Sequence, residues 1–263
     1  MAIKNISYKK ILNAMKIASN SASIIIKKAL KKKINSKKKS YNEWVTETDL
    51  KSEKIIISYL KKYYPESGFI AEESGILKSD DDSIQWIIDP IDGTNNFITK
   101  YPHFCISIAA YYKNELICGT IENPTNDEFF HAIKGKGAYL NNIKINVTQQ
   151  NKIQNSVLGT GFVMSNKSSV IKSLRKLKQI IFQTRSFRRS GSAALDLAYV
   201  ASGRLDGYWQ YNLKPWDYAA GVLLVSEAGG KVSQFDGKNI HLKSSSVLAT
   251  NSKIHNQVLK ILK

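Results

Sequence analysis

Apolar residues at Ile11, Met15, Ala18, Ala22, Ile25, Ala29 and Leu30 recur at helical spacing, so the chain is expected to open with an amphipathic helix from Ile11 to Leu30. A second helical face, Ile55, Ile56, Tyr59 and Leu60, runs through Ser52 to Tyr64 and stops before Pro65. The pattern then shortens to strands. Phe69-Ile70-Ala71 and Trp86-Ile87-Ile88 are apolar runs that each end at an acid, and Phe104 to Tyr112, Leu116 to Glu122, Glu128 to Ala132 and Ala138 to Leu140 read as an antiparallel meander. Gly135-Lys136-Gly137 is a hairpin turn within it, because neither a Gly-Lys-Ser/Thr sequence nor a helix follows. Beyond the meander, strand and helix alternate. Val157 to Phe162 is a strand, Val170 to Phe182 a helix, Arg185 to Arg189 an extended piece, Ala193 to Ser202 a helix and Arg204 to Tyr211 a strand. Tyr218 to Ala228 is a helix, and Val247 to Thr250 a last strand before a C-terminal helix. No run approaches a membrane span.

Length changes this picture little: 263 residues suffice for one large α/β domain, or two closely packed halves, and no linker-like break separates them. The two cysteines, Cys105 and Cys118, sit in apolar surroundings without paired spacing, as buried thiols in a reducing cytoplasm would. The formal charge of +18 raises nucleic acid as a partner. Lys27-Lys28, Lys31-Lys32-Lys33 and Lys37-Lys38-Lys39 are the densest basic stretch, but arginine is scarce and no aromatic residues are interleaved for stacking. A solvated face explains that stretch, with attraction of anionic substrates a modest consequence. The first acid is Glu43, which gives the leader the basic, acid-poor look of an organellar transit peptide, although with lysine in place of arginine.

Candidate chemistry concentrates where Trp86-Ile87-Ile88 gives way to Asp89-Pro90-Ile91-Asp92-Gly93-Thr94. Pro90 fixes φ, so Asp89 and Asp92 are expected to leave the sheet within one tight turn and share a cation-sized space. Gly93 permits a sharp turn, and Thr94 has the chemistry of a helix N-cap whose free N–H groups suit an anion. A surface turn is the plain alternative. Company argues against it: Ile70-Ala71-Glu72-Glu73-Ser74-Gly75 and Pro215-Trp216-Asp217-Tyr218-Ala219-Ala220-Gly221 also place acids at the edge of apolar segments. Hard oxygen ligands without convergent His or Cys point to magnesium. His103 and His131 stand alone and read as structural, Glu73 as lying behind Glu72 or facing solvent, and Asp49 as a helix cap. Asp217 can cap the helix that follows it and bind a metal as well.

Glu72-Glu73-Ser74, Asp89-Pro90-Ile91-Asp92-Gly93-Thr94 with Asn96-Phe97, and Trp216-Asp217-Tyr218-Ala219-Ala220-Gly221 resemble the three signatures of the inositol monophosphatases, members of the lithium-sensitive, magnesium-dependent phosphatase superfamily. Val45-Thr46-Glu47-Thr48-Asp49 and Gly191-Ser192-Ala193-Ala194-Leu195-Asp196 resemble two further elements, all in the expected order over nearly the whole chain. The resemblance implies an αβαβα sandwich in a single domain spanning 1–263, with packed halves of roughly 1–150 and 151–263, whose first helix belongs to the mature fold. It also implies a homodimer, while the thiols and the apolar runs lead to the expectation of a cytoplasmic protein without membrane attachment.

For the site, the resemblance implies one Mg²⁺ on Glu72, Asp89 and the Ile91 carbonyl, and a second on Asp89, Asp92 and Asp217, with room for a third near Glu72. Two such ions sit roughly 3.5–4 Å apart and activate water without a covalent enzyme intermediate. Thr94 and Glu72 would orient that water, with the Asp49–Thr94 pair taking its proton, and Gly93 and Thr94 would hold phosphate through their N–H groups. Gly191, Ser192, Ala193 and Gln210 would surround the alcohol. The last position is often Glu in the family, and the neutral Gln210 loses a charged acceptor, which loosens the link to inositol. The expected activity is hydrolysis of myo-inositol monophosphate or a similar small phosphomonoester, with histidinol phosphate, nucleotide 3′-phosphate and fructose 1,6-bisphosphate as alternatives. From another class, an RNA-binding role would use the Lys27 to Lys39 surface.

Overall fold

The computed structural model describes residues 7–41, 43–77 and 83–263; the first six residues of the basic leader lie outside them. The first helix, α1 (Tyr8–Leu30), is followed by a hairpin, β1 (Ser36–Ser40) and β2 (Glu43–Thr46), then α2 (Glu47–Tyr63), β3 (Gly68–Ala71), β4 (Gly75–Leu77) and β5 (Gln85–Asp92). After a short α3 (Thr94–Thr99) come β6 (Cys105–Tyr112), β7 (Glu115–Asn123), β8 (Glu128–Ile133), β9 (Gly137–Leu140) and β10 (Ile143–Ile145). The remainder is β11 (Val157–Thr160), α4 (Lys167–Ile180), β12 (Ser186–Arg188), α5 (Ala193–Ala201), β13 (Gly207–Tyr211), α6 (Pro215–Glu227), β14 (Lys231–Ser233), β15 (Ser246–Thr250) and α7 (His255–Leu262).

Two sheets organise these elements. One has eight strands in the order β10-β9-β8-β7-β6-β5-β3-β4, antiparallel except where β3 runs parallel to β5. The other has five in the order β12-β11-β13-β15-β14, with β11 parallel to both its neighbours. Helices α1 and α2 cover one face of the larger sheet, burying Ile11, Met15, Ile56 and Leu60 against Trp86, Ile88 and Ile108. Helices α5 and α6 fill the space between the sheets, where Leu197, Ala220 and Leu224 meet Ile87, Ile121 and Ala249. Helices α4 and α7 close the far side over Trp209 and Leu248. The result is the expected αβαβα sandwich. No helix among the described residues is long and apolar enough to cross a membrane.

Differences from the sequence reading have local causes. In α1 the core face carries Ser19, Ser23 and Ile26, whereas Ile25 is only half-buried. Hydropathy hides this face because Ser19 reaches a hydrogen-bond partner, Glu122, at 2.5 Å. Helix α2 starts at Glu47, five residues before the first position read as helical, because Thr46 and Asp49 form a reciprocal capping box. The β1–β2 hairpin went unread, since Lys37-Lys38-Lys39 has low strand propensity. The Gly135-Lys136-Gly137 turn is present as expected, and both glycine N–H groups donate to the Glu227 carboxylate, at 2.7 and 2.8 Å. Cys105 and Cys118 are buried free thiols.

Candidate metal centre and active site

A register change in β5 is what allows its two acids to meet. Along a regular strand residues 89 and 92 project from opposite faces, because side chains alternate. Here Asp89 pairs with Ser107 and Asp92 with Cys105, so Pro90 and Ile91 together oppose Ile106 alone. Such a β-bulge tolerates proline inside a sheet. Ile91 stays with Trp86 and Ile88 in the core beneath α1 and α2, while Asp92 returns to the side of Asp89, toward α5 and α6. The strand thus continues through Pro90 to Asp92, where a tight turn was expected.

Two further segments complete the cluster. Strand β3 pairs Ala71 with Ile88, so Glu72 comes level with Asp89, and its N–H donates to the Ile88 carbonyl at 3.2 Å. Asp217 stands in the first turn of α6, where its Oδ2 accepts from the Lys214 N–H at 2.7 Å, closing the helix start. One oxygen each from Asp89, Asp92 and Asp217 lie within 4.8 Å of one another, and the Glu72 and Asp89 carboxyls are hydrogen-bonded. Burial is the first cause that raises all four acids, and neighbouring carboxylates add to it. Glu72 is pushed to about 8, Asp92 to about 6, and Asp89 and Asp217 well above the ordinary carboxylate range. Glu72, Asp89 and Asp217 therefore favour their protonated forms at neutral pH until a cation takes the proton's place. Their donor set is all oxygen, which fits a hard ion.

The next shell fixes directions. Asp92 Oδ2 accepts from the Ser192 hydroxyl at 2.6 Å and the Ala194 N–H at 2.7 Å, so the start of α5 is tied to the cluster. Ser192, expected beside the alcohol, lines a cavity there and also caps α5 while holding Asp92. Thr94 is not the cap of α3; Gly93 is, at φ +94°, with Thr94 the first helical residue. The Thr94 hydroxyl donates to Asp49 Oδ1 at 3.2 Å and lies 3.1 Å from the Ile91 carbonyl. Asp49 is fully buried, and burial raises it to about 6, although hydrogen bonds from Thr46 and Thr94 oppose the rise. A Cβ on Gly93 would lie 3.2 Å from the His103 carbonyl and from Ser192 Cβ. Gly93→Ala combines that crowding with a left-handed φ, so it is expected to cost about 2 kcal/mol, or roughly 4–8 °C in Tm, in calorimetry.

Gly191, Ser192, Ala193 and Gln210 line a cavity of about 120 Å³ that Asp92 and Asp217 also border, so the structure brings together the residues expected around an alcohol. His103 meets Asp196 at 3.1 Å, and His131 stacks on Tyr139, so each histidine has a packing role. Three residues were missed. Lys39, read as part of a solvated run, bonds Glu73 Oε2 at 2.8 Å and the Glu72 carbonyl at 3.3 Å. Burial alone would lower its pKa, but the bond and charge of Glu73, with Glu72 and Glu43, raise it. Glu73 accordingly faces Lys39 and not solvent. Glu53 is buried in α2 and accepts from the Glu73 and Ser74 N–H groups, both at 2.8 Å, which pins the turn carrying Glu72. Its signal was an acid on the stripe shared with Ile56 and Leu60. Arg189, read only as the end of a basic extended piece, is the third: it lines the cavity with its guanidinium 6.0 Å above the Phe162 ring. Glu53→Ala leaves two N–H groups unpaired and should cost about 2–4 kcal/mol, lowering Tm by several degrees and weakening the midpoint for magnesium activation.

Fold and site define a five-layered α/β protein in which acids drawn from three segments gather into a cluster whose all-oxygen donors could hold a hard cation. Comparison with known proteins narrows this class. The chain belongs to the inositol monophosphatase family, whose profile matches residues 7–263. It is 43% identical over 226 residues to the protein named Nus factor SuhB from Haemophilus influenzae, covering 86% of this chain and 85% of that one. Among solved structures, the extragenic suppressor protein suhB from Bartonella henselae superposes with a TM-score of 0.92 at 36% identity, covering 97% and 98% of the two chains. The inositol monophosphatase from Anabaena gives 0.88 at 35% identity, covering 97% and 95%.

Proposed function

We propose that this protein is a magnesium-dependent phosphomonoesterase acting on myo-inositol monophosphate or a similar small polyol phosphate. The observation that carries the reading is the meeting of Asp89, Asp92 and Asp217 within 4.8 Å, with Glu72 bonded to Asp89. Glu72, Asp89, the Ile91 carbonyl, Asp92 and Asp217 would hold two Mg²⁺ ions, with a third near Glu72. When bound, the ions supply charge neutralisation at phosphate, a more acidic water and stabilisation of the departing alkoxide.

The chain's own groups do the rest. Asp49 holds the Thr94 hydroxyl hydrogen, which leaves the Thr94 oxygen free to accept from the attacking water. Glu72 fixes that water from the other side. With a pKa of about 6, Asp49 is mostly ionised at neutral pH and accepts the proton relayed through Thr94. The N–H groups of Gly93 and Thr94 take phosphate oxygens, in keeping with the unpaired donors that open any helix. Water attacks phosphorus in line as the ester P–O bond breaks, the leaving oxygen takes a proton from solvent, and Gly191, Ser192, Ala193 and Gln210 receive the alcohol beside Asp217.

Phosphate release from inositol, histidinol, nucleotide and fructose esters, each with magnesium and with chelator, tests the reading. Hydrolysis of at least one ester with magnesium and none with chelator is expected; no hydrolysis of any sinks it. A second reading takes its motive from the name Nus factor carried by the Haemophilus relative: a binding role, with the lysines from Lys27 to Lys39 as an RNA surface. Because Lys39 is engaged at Glu73, that surface is smaller than the sequence promised. RNA binding that weakens steeply with salt would support it. The homodimer is also a proposal, and sedimentation checks it.

A further inference from the structure

Helix α4 is built inside out. It turns Ser169, Ser173 and Ile180 toward the protein, while Ile171 and Leu174 stand 43% and 49% exposed. A helix that serves only its own core points serines outward and aliphatic residues inward. The chain keeps this inversion past the helix end, where Ile181 is 39% and Phe182 91% exposed. Ile171, Leu174 and Ile181 follow helical spacing, so they form one stripe with Phe182 protruding at its end. Cations border the stripe. Lys167, Lys172, Arg175 and Lys178 on α4, with Arg185 and Arg188 beyond it, are all exposed, and none has an ion pair among the described residues. No acid lies between Glu128 and Asp196 in the sequence. Helix α7, whose Ile261 carbonyl accepts from Lys176 of α4 at 3.2 Å, has no acid either and adds Lys260.

We infer that this face docks on a membrane surface rich in anionic lipid, with Ile171, Leu174, Ile181 and Phe182 entering the headgroup layer and the flanking cations meeting lipid phosphates. The partner must be anionic, because the face carries cations alone. A second copy would set these cations against one another, since a two-fold contact pairs a surface with itself. RNA would need rings on which bases stack, and the stripe offers Phe182 alone among aliphatic side chains. A folded acidic protein would need a socket shaped for Phe182; a fluid headgroup layer needs none, because it closes around whatever enters. The 14 residues of α4 reach about 21 Å, short of the roughly 30 Å of a hydrocarbon core, so the helix lies along the surface and does not cross it. Docking of this kind reverses the expectation of no membrane attachment, which rested on the lack of a spanning run. It does not depend on the phosphomonoesterase reading.

The test is co-sedimentation of the full-length protein with vesicles of phosphatidylcholine alone and of phosphatidylcholine mixed with phosphatidylglycerol. Binding to the mixed vesicles only, weakening as salt is raised, is expected. Phe182→Ser keeps the charge and should lower the partition coefficient about tenfold, as loss of one buried aromatic anchor does. Lys172→Glu with Arg175→Glu should lower it at least about twentyfold, at roughly fivefold for each cation removed. Lys28→Glu with Lys32→Glu, at the end of α1, changes the net charge by the same amount away from this face and should lower it less than about threefold. All these positions are exposed, and melting curves confirm that each variant is folded. No binding to mixed vesicles, equal binding to both vesicle types, no effect of Phe182→Ser, or equal losses from the two charge-reversed pairs overturns the inference. If Phe182→Ser instead breaks a dimer or RNA binding and leaves lipid binding unchanged, the face belongs to that partner and the inference fails.

Discussion

Asp89→Asn is expected to cut magnesium-dependent phosphate release by about a thousandfold or more while leaving the protein folded. Asp89 is the central acid of the cluster, raised by burial first and then by Glu72, Asp92 and Asp217. Asparagine keeps the shape but withdraws a negative charge from every ion the site would hold. The same change relieves repulsion in the cation-free protein. In chelator the variant should therefore melt at or above the wild-type temperature, while gaining little when magnesium is added. Steady-state phosphate release and calorimetry on the same preparation check both halves. Wild-type turnover, or a variant that fails to fold, would contradict the account.

The second large effect is on stability. Glu72 at about 8, and Asp89 and Asp217 raised well above their usual values, keep protons in the folded chain that the unfolded chain has already lost. From about pH 4 to about pH 8 the folded state therefore binds more protons, and its stability without cations falls as pH rises through that window. The coupled acids make the loss on the order of 3–5 kcal/mol, or roughly 10 °C in Tm. Magnesium binds the ionised form, so it should restore most of the loss near pH 8: a ligand at a hundred times its Kd adds about 2.7 kcal/mol. Near pH 5 it should do little. Melting curves in chelator and in excess magnesium at both pH values decide the matter, and a chelator Tm that climbs from acid to alkaline pH would refute it.

The fold was readable where one residue type repeats with one period. The apolar stripes of α1 and α2 and the meander β6 to β9 announced themselves, because burying one face demands that rhythm. What stayed hidden was written in pairs distant in sequence. Glu53 holds two N–H groups twenty and twenty-one positions away, Ser192 holds Asp92 across a hundred, and nothing local marks either bond. The β1–β2 hairpin was concealed by its own lysines, one of which proves to be a partner of Glu73. In the site, the acids stood out because carboxylates ending apolar runs are conspicuous. Their meeting depends on the bulge at Pro90 and Ile91, and proline read as a turn signal disguised it. Gln210 was noticed as neutral, but its orientation follows from Tyr208 and Gly161, which only the fold places against it.

The two-against-one pairing at Ile106 makes length, more than chemistry, the vulnerable property of this segment. A chain shortened by Pro90 or Ile91 alone keeps all its acids, its charge and nearly all its apolar bulk. Its strand would fall back into ordinary alternation, and one of the two carboxylates would be driven into the packing under α1 and α2, among Trp86 and Ile88. Random deletion libraries should accordingly find this stretch intolerant of a single lost codon.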